Sequence, residues 1–200
     1  MLIFSGTSDN EPSVALGVDQ YLNFSGSLRC ICHTLSLAVN DAIDSIPFLK
    51  ASLKQINDIS NFLSKHHDIN ENIVSEQCKT FTKDRIVTLK KECPTRWHSK
   101  LNVLEKYIFL KPILKKCLPS TAPSLLSRAK ENAIAECIDV LREVRRTARA
   151  LEVDRNISAS RMPRLLYELD RTLKLYSASK DDREDTFKCC LLYTSDAADD

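Results

Sequence analysis

The sequence predicts a mainly α protein with a small α/β part at its beginning. Of its 200 residues 43% are hydrophobic, which is enough to bury a core. Its only three glycines, at positions 6, 17 and 26, all precede the first helical pattern, so sharp turns are few beyond them. From position 34 onward, apolar residues recur at the spacing of amphipathic helices. Helices are therefore expected to dominate.

Two short strands are predicted before the first helix. Residues 2–7 form an apolar run, and the polar residues 8–12 that follow suit a turn and a helix start. A brief alternation of polar and apolar residues predicts a second strand over 27–30. These strands make up the α/β part.

Helical patterns follow in order. The first runs from Thr34 to Pro47, which ends it and starts the next, and the second runs out near His66. A third helix is predicted over 70–83, and 85–89 forms either a short strand or an extended connection.

Three further patterns complete the chain. An apolar stripe after Trp97 predicts a helix that Pro112 interrupts. A linker over 119–123 leads to the strongest helical pattern, 134–151, and a last amphipathic helix covers 162–176.

The charge distribution is uneven although the net charge is only +2. Residues 79–106 hold eight cations and three anions, a local charge of +5, which leaves −3 for the remainder. A concentrated basic segment is typical of proteins that bind a polyanion. Arginines at 142, 145, 146 and 149 also line one helix face, but acidic residues three or four positions away favour ion pairing there.

Eight cysteines lack the spacing of a disulfide framework, and no segment has the pattern of a signal peptide. These features favour a reducing compartment. No apolar run is long enough to cross a bilayer, so we expect no membrane association.

Trp97 is the only tryptophan and lies between Arg96 and His98 in the basic segment. An exposed indole beside cations suits nucleic acid, since the ring can stack on a base while the cations hold phosphates. The alternative is a tryptophan that anchors the start of a helix against the core. Residue chemistry alone favours the anchor.

Four sequence blocks, in order, resemble the middle of a transposase of the hAT superfamily, over most of residues 5–175. They read SDNEPS, CxCHTLxLAVND, ECPTRWHSKLNVLEK and LEVDRNISASRMPRLLYELDRTL. Each block is weak alone, but four in this order are specific. By pattern the chain is most similar to transposase-derived proteins that carry BED-type zinc fingers, although it has no such finger itself.

The resemblance implies a division of the chain into three parts. Residues 1–33 correspond to part of an RNase H-like core, and 34–188 to the all-α insertion domain placed within it. Residues 189–200 include a stretch that looks like the translation of a sequencing adapter, which we exclude from fold arguments. We therefore expect this chain to be a fragment, cut at both ends.

Asp9 is the candidate catalytic residue. After an apolar strand such a residue is by itself typical of a helix cap. In hAT transposases three carboxylates bind two divalent metal ions for DNA cleavage and transfer, and Asp9 matches the second of them. Ser8 and Ser13 depart from the usual Thr and Asn. An intact ancestor would use Mg²⁺ or Mn²⁺, whereas one carboxylate cannot hold two metals, so we predict that this chain has no metal and cannot cleave DNA.

Cys30 and His33 match a Cys-x2-His element that lies close to the active site in the family. With Cys32, and with Cys93 or His98, they are also possible zinc ligands, but the spacing is not that of a zinc finger. The other interpretation is a strand end with buried thiols. We expect no zinc.

The resemblance reverses the interpretation of Trp97, because in the family a Thr-Arg-Trp element stacks on a base flipped out near a DNA hairpin. We therefore expect the indole to face outward beside an extruded nucleotide. His98 departs from the frequent Asn. The predicted DNA-binding residues are Lys90, Lys91, Arg96, Trp97, His98 and Lys100.

The function implied is DNA binding in a transposase or a domesticated, transposase-derived nuclear protein. The full-length protein is expected to self-associate, with no membrane partner and no small-molecule substrate. The competing hypothesis is a helical protein-interaction module that does not bind DNA.

Overall fold

The structure, a computed structural model, describes residues 7–8, 28–29, 31–81, 86–93, 96–153 and 162–178. Within those ranges the mainly α prediction is confirmed. In the described ranges, two short strands precede six helices: β1 (Thr7–Ser8), β2 (Leu28–Arg29), α1 (Ile31–Ser45), α2 (Pro47–Lys65), α3 (His67–Thr80), α4 (Trp97–Cys117), α5 (Arg128–Val153) and α6 (Met162–Ala178).

The two strands pair in parallel, with Thr7 beside Leu28 and Ser8 beside Arg29. Parallel pairing requires a crossover between the strands rather than a tight hairpin. The second predicted strand, 27–30, is confirmed at its centre, and the first coincides with β1 at Thr7. Both strands end at the same edge of the pair.

The helix boundaries follow local sequence signals. Pro47 opens α2, because a proline at the first helical position loses no hydrogen bond that the helix would make. The end of α2 is capped by His66, whose ring stacks on Phe62 with centroids 4.0 Å apart. Helix α3 begins directly afterwards and ends at Thr80, three residues earlier at each end than predicted.

The segment 86–93 is an extended connection. Amide side chains form hydrogen bonds to its backbone that a neighbouring strand would otherwise form. Gln77 Nε2 donates to the Val87 carbonyl at 3.0 Å, and the Val87 N–H donates to Gln77 Oε1 at 2.9 Å. Asn57 holds Glu92 similarly, accepting from its N–H at 3.3 Å and donating to its carboxylate at 3.0 Å. These bonds satisfy backbone groups that would otherwise lack partners.

Helix α4 is the centre of the bundle and packs on α1, α2, α3 and α5, whereas α6 packs on α5. It continues through Pro112, whose side chain is exposed. The loss of a helical N–H there falls on the solvent side, where water can replace the bond. No helix in the described part of the chain is long and apolar enough to cross a membrane.

The linker between α4 and α5 is anchored by polar contacts to the core. The buried Tyr107 hydroxyl accepts a hydrogen bond from the Leu126 N–H at 2.8 Å. Gln55 Nε2 donates to the Ser124 carbonyl at 2.8 Å. Burial raises the pKa of Tyr107 to about 12. The linker is therefore ordered against α2 and α4, although its sequence carries no regular pattern.

Ion pairs join α4 to α5. Glu105 Oε1 accepts a hydrogen bond from Arg142 at 2.8 Å. Arg145 donates hydrogen bonds to both carboxylate oxygens of Glu105, at 3.0 and 3.1 Å. Burial alone would raise the pKa of Glu105, but the hydrogen bonds and charges of the two arginines outweigh it and hold the pKa below its usual range.

The predicted ion pairing of the arginine face is confirmed at two positions. Arg142 pairs with Asp139 at 3.2 Å, and Arg146 pairs with Glu143 at 2.9 Å. These contacts are local to α5. The bonds to Glu105 were not predicted, because they depend on how α4 lies against α5.

Candidate nucleic-acid interface

Trp97, the first residue of α4, is buried, with 1% of its surface exposed. Its Nε1 donates to Ser36 Oγ on α1 at 3.4 Å, and its ring lies against His98 with centroids 3.8 Å apart. The expectation that this indole faces outward is wrong. The alternative, an anchor at the start of a helix, is confirmed, because the ring fills the junction of α1 and α4.

A tight turn leads into α4 and fixes the backbone of Arg96. The Arg96 N–H donates to the Cys93 carbonyl at 3.2 Å, and the Ser99 N–H donates to the Arg96 carbonyl at 2.9 Å. Ser99 Oγ accepts from the Cys93 N–H at 2.5 Å. The Arg96 side chain is exposed at the edge of this turn.

Lys100 does not belong to an exposed basic surface, since only 3% of it is accessible. Its ammonium group donates to Asp44 Oδ1 on α1 at 2.9 Å. Residues three apart share one face of a helix, so Lys100 points to the same side as the buried Trp97. The predicted DNA contact of Lys100 therefore gains no support from the structure, because its ammonium group is buried and hydrogen-bonded to Asp44.

Lys83 and Arg85 lie outside the described residues, and the other cations of the basic segment divide into two groups. Lys79 pairs with Glu76 at 2.7 Å, and Lys106 is half-buried on α4. By contrast, no carboxylate in the described part of the chain pairs with the exposed cations that we call the Lys90–Arg96 surface. This surface consists of Lys90, Lys91 and Arg96.

Asp9 and Cys30 lie outside the described residues, so the structure does not place them. His33 is half-buried in the first turn of α1, and His98 is half-buried beside Trp97. Because Trp97 contacts Ser36, the beginnings of α1 and α4 lie together. His33 and His98 are therefore placed at the same end of the bundle as Arg96.

The described residues do not supply a metal site. Within the ranges that the structure covers, no three His, Cys, Asp or Glu side chains cluster as a metal ion would require. A two-metal centre needs several carboxylates, and none converge here. The described residues therefore do not fit a bound Mg²⁺, Mn²⁺ or Zn²⁺ ion.

Two spacings in the sequence indicate that Lys100 and its partner lie at the junction of α1 and α4. Lys100 follows Trp97 by three residues, which places both on one helix face. Ser36 and Asp44 are eight residues apart on α1 and also share a face. A buried Trp97 would have implied a buried Lys100 with a partner on a neighbouring helix.

Comparisons of the chain with protein families, with curated proteins and with solved structures gave no match.

Proposed function

We propose that this chain is the helical domain of a hAT-type transposase, or of a domesticated nuclear protein derived from one, and that it binds DNA. The observation that carries the proposal is the Lys90–Arg96 surface. Two lysines and one arginine are exposed without a described acidic partner, and all three belong to the 79–106 segment, whose local charge is +5. Uncompensated cations attract phosphates and release condensed counterions on binding.

Two features of the fold support the proposed origin. A parallel strand pair precedes an all-helical region, in the order that a partial RNase H-like core and its helical insertion would have. The beginnings of α1 and α4 lie together, so elements far apart in sequence meet at one end of the bundle. Self-association and a nuclear location remain part of the proposal.

Trp97 has a structural role in this proposal. By closing the junction between α1 and α4, it fixes the turn that presents Arg96. DNA would then be held through phosphates at this surface, not by stacking on the indole. Consequently, loss of binding in Trp97→Ala cannot diagnose a direct contact, because that change disturbs the core.

The test is DNA binding by Lys90→Gln/Lys91→Gln, measured by fluorescence anisotropy over a range of salt concentrations with hairpin and single-stranded DNA. We expect weaker binding. The slope of log K against log salt should be shallower by about 0.7 for each single-strand phosphate that the variant no longer neutralises. Arg96→Gln should act in the same direction.

The matched control is Lys115→Gln/Arg128→Gln, which removes two exposed cations at the other end of the α4–α5 pair. Lys115 is eighteen positions from Trp97, or about 27 Å along the helix. Equal weakening by both double variants would contradict a specific surface at Lys90 and Lys91.

The second candidate function is a helical protein-interaction module that does not bind DNA. The buried indole favours it, since the predicted base-stacking platform is not on the surface. Exposed apolar side chains at Tyr167 and Leu175 on α6 also favour it. An intact, folded protein that binds neither hairpin nor single-stranded DNA at low salt would support this function and exclude the first.

A further inference from the structure

A partly exposed aromatic pair lies between α3 and α4. The rings of Phe81 and Phe109 stack with centroids 4.6 Å apart and planes at 28°. Phe109 is 40% exposed although it belongs to the central helix. Part of the Phe109 ring is therefore accessible to solvent, whereas the ring of Trp97 is buried.

Cations accompany the pair. Lys116 follows Phe109 by two helical turns, so both lie on one face of α4. Lys79 lies two residues before Phe81, at the end of α3. Lys79 pairs with Glu76 at 2.7 Å, and the pKa of Glu76 is held below its usual range mainly by the hydrogen bond and charge of Lys79, with a smaller contribution from the charge of Lys116.

This combination matches the chemistry of single-stranded nucleic acid. Unpaired bases stack on exposed aromatic rings with little regard to sequence, while lysines track the phosphates. The ion pair between Lys79 and Glu76 is exposed and therefore weak enough to exchange for a phosphate. A purely apolar protein partner would leave the charge of Lys116 without a counterpart.

We propose that Phe81, Phe109, Lys79 and Lys116 form a second contact surface for single-stranded nucleic acid, on which a base stacks against Phe109. This deepens the proposed function and rests on it, since the same chain would hold DNA at the Lys90–Arg96 surface. It assigns base stacking to a residue other than Trp97.

The experiment compares the binding of a short labelled oligothymidylate with that of an abasic strand of equal length. For the wild type, bases should increase affinity. In Phe109→Ala we expect oligothymidylate to bind roughly 5- to 150-fold more weakly, the range for loss of one stacked base, and to approach the abasic strand. Tyr167→Ala, which removes an exposed aromatic ring from α6, is the matched control and should bind like the wild type.

Phe109→Trp provides a readout that a merely structural role would not move. The introduced indole is exposed while Trp97 is buried, so stacking by a base should quench the red-shifted part of the fluorescence. Quenching by oligothymidylate but not by the abasic strand supports the proposal. Quenching by neither overturns it, even if Phe109→Ala proves unstable.

The outcomes separate this inference from the proposed function. If Phe109→Ala binds like the wild type while Lys90→Gln/Lys91→Gln binds weakly, this inference fails and the proposed function stands. The reverse pattern retains the aromatic surface and rejects the Lys90–Arg96 surface. If the wild type binds hairpin DNA but neither of these single strands, this inference fails and the proposed function stands; if it binds no DNA at all, both proposals are overturned.

Discussion

At the scale of single residues, the environment of each side chain decides its role more than its type does. Trp97, Arg96 and Lys100 lie within five positions, yet Trp97 and Lys100 are buried and Arg96 is exposed. The helical repeat explains the difference, because Trp97 and Lys100 share the face toward α1 whereas Arg96 precedes the helix. A sequence block that resembles a DNA-binding element therefore divides into a buried anchor, a buried lysine that pairs with an exposed aspartate, and one exposed cation.

Trp97→Ala should destabilise the protein by about 3–5 kcal/mol, because it leaves a cavity where a large aromatic ring was packed. Trp97→Phe should cost less, since a ring is retained. Urea unfolding followed by circular dichroism measures both. In the wild type the emission of the only tryptophan should be blue-shifted and should move to the red on unfolding. A Trp97→Ala protein as stable as the wild type would contradict the buried position.

At the scale of elements, the connection between α3 and α4 depends on side chains of the helices beneath it. Gln77 and Asn57 bind its backbone, and Ser60 Oγ donates to the Leu89 carbonyl at 3.1 Å. The sequence left open whether this stretch is a strand or an extended connection, since both have the same local pattern. In the structure this stretch is an extended connection, because its backbone is hydrogen-bonded to amide and hydroxyl side chains of α2 and α3 and not to another strand.

Gln77→Ala should release this connection at Val87 and cost about 1–3 kcal/mol, because two partly buried backbone groups lose their partners. The Val87 amide should then exchange with solvent faster, as measured by hydrogen exchange. Gln77→Glu is the matched variant, since a carboxylate still accepts from the Val87 N–H but no longer donates to its carbonyl. It should protect the Val87 amide better than alanine does. Unchanged hydrogen exchange at Val87 in Gln77→Ala would show that the two Gln77 hydrogen bonds do not hold the 86–93 connection in place.

At the scale of the whole molecule, one helix organises the bundle. Helix α4 contributes Trp97 and Lys100 to α1, Glu105 to α5 and Tyr107 to the linker. Titration of groups on this helix should therefore affect global stability at both ends of the pH range. The two groups concerned are Glu105 and Tyr107, whose pKa values are shifted in opposite directions.

Stability should fall below and above the neutral range. Because the pKa of Glu105 is lowered in the folded state, its contribution is present above its unfolded pKa and is lost as the pH falls through its folded value. The pKa of Tyr107 is raised to about 12, so its contribution is complete below its unfolded pKa of about 10 and is lost as the pH rises toward 12.

Urea unfolding across the pH range measures both effects. In a plot of the free energy of unfolding against pH, Glu105→Gln should reduce the slope on the acid side. Tyr107→Phe should reduce the slope on the alkaline side. Each variant should leave the opposite side of the plot unchanged. If the free energy of unfolding of Tyr107→Phe falls with alkaline pH as steeply as that of the wild type, the Tyr107 hydroxyl is not buried as the structure places it.

The sequence by itself determined the helices, the proline at the start of α2, the two short strands and the basic segment, because periodicity, backbone constraints and charge are local properties. Only the tertiary structure decided which of those cations remain exposed, which carboxylates pair with arginines and on which side the tryptophan lies. The physical reason is that burial and ion pairing depend on the surfaces that distant elements bring together. Trp97 illustrates this, since its environment is set by α1, sixty-one positions away at Ser36.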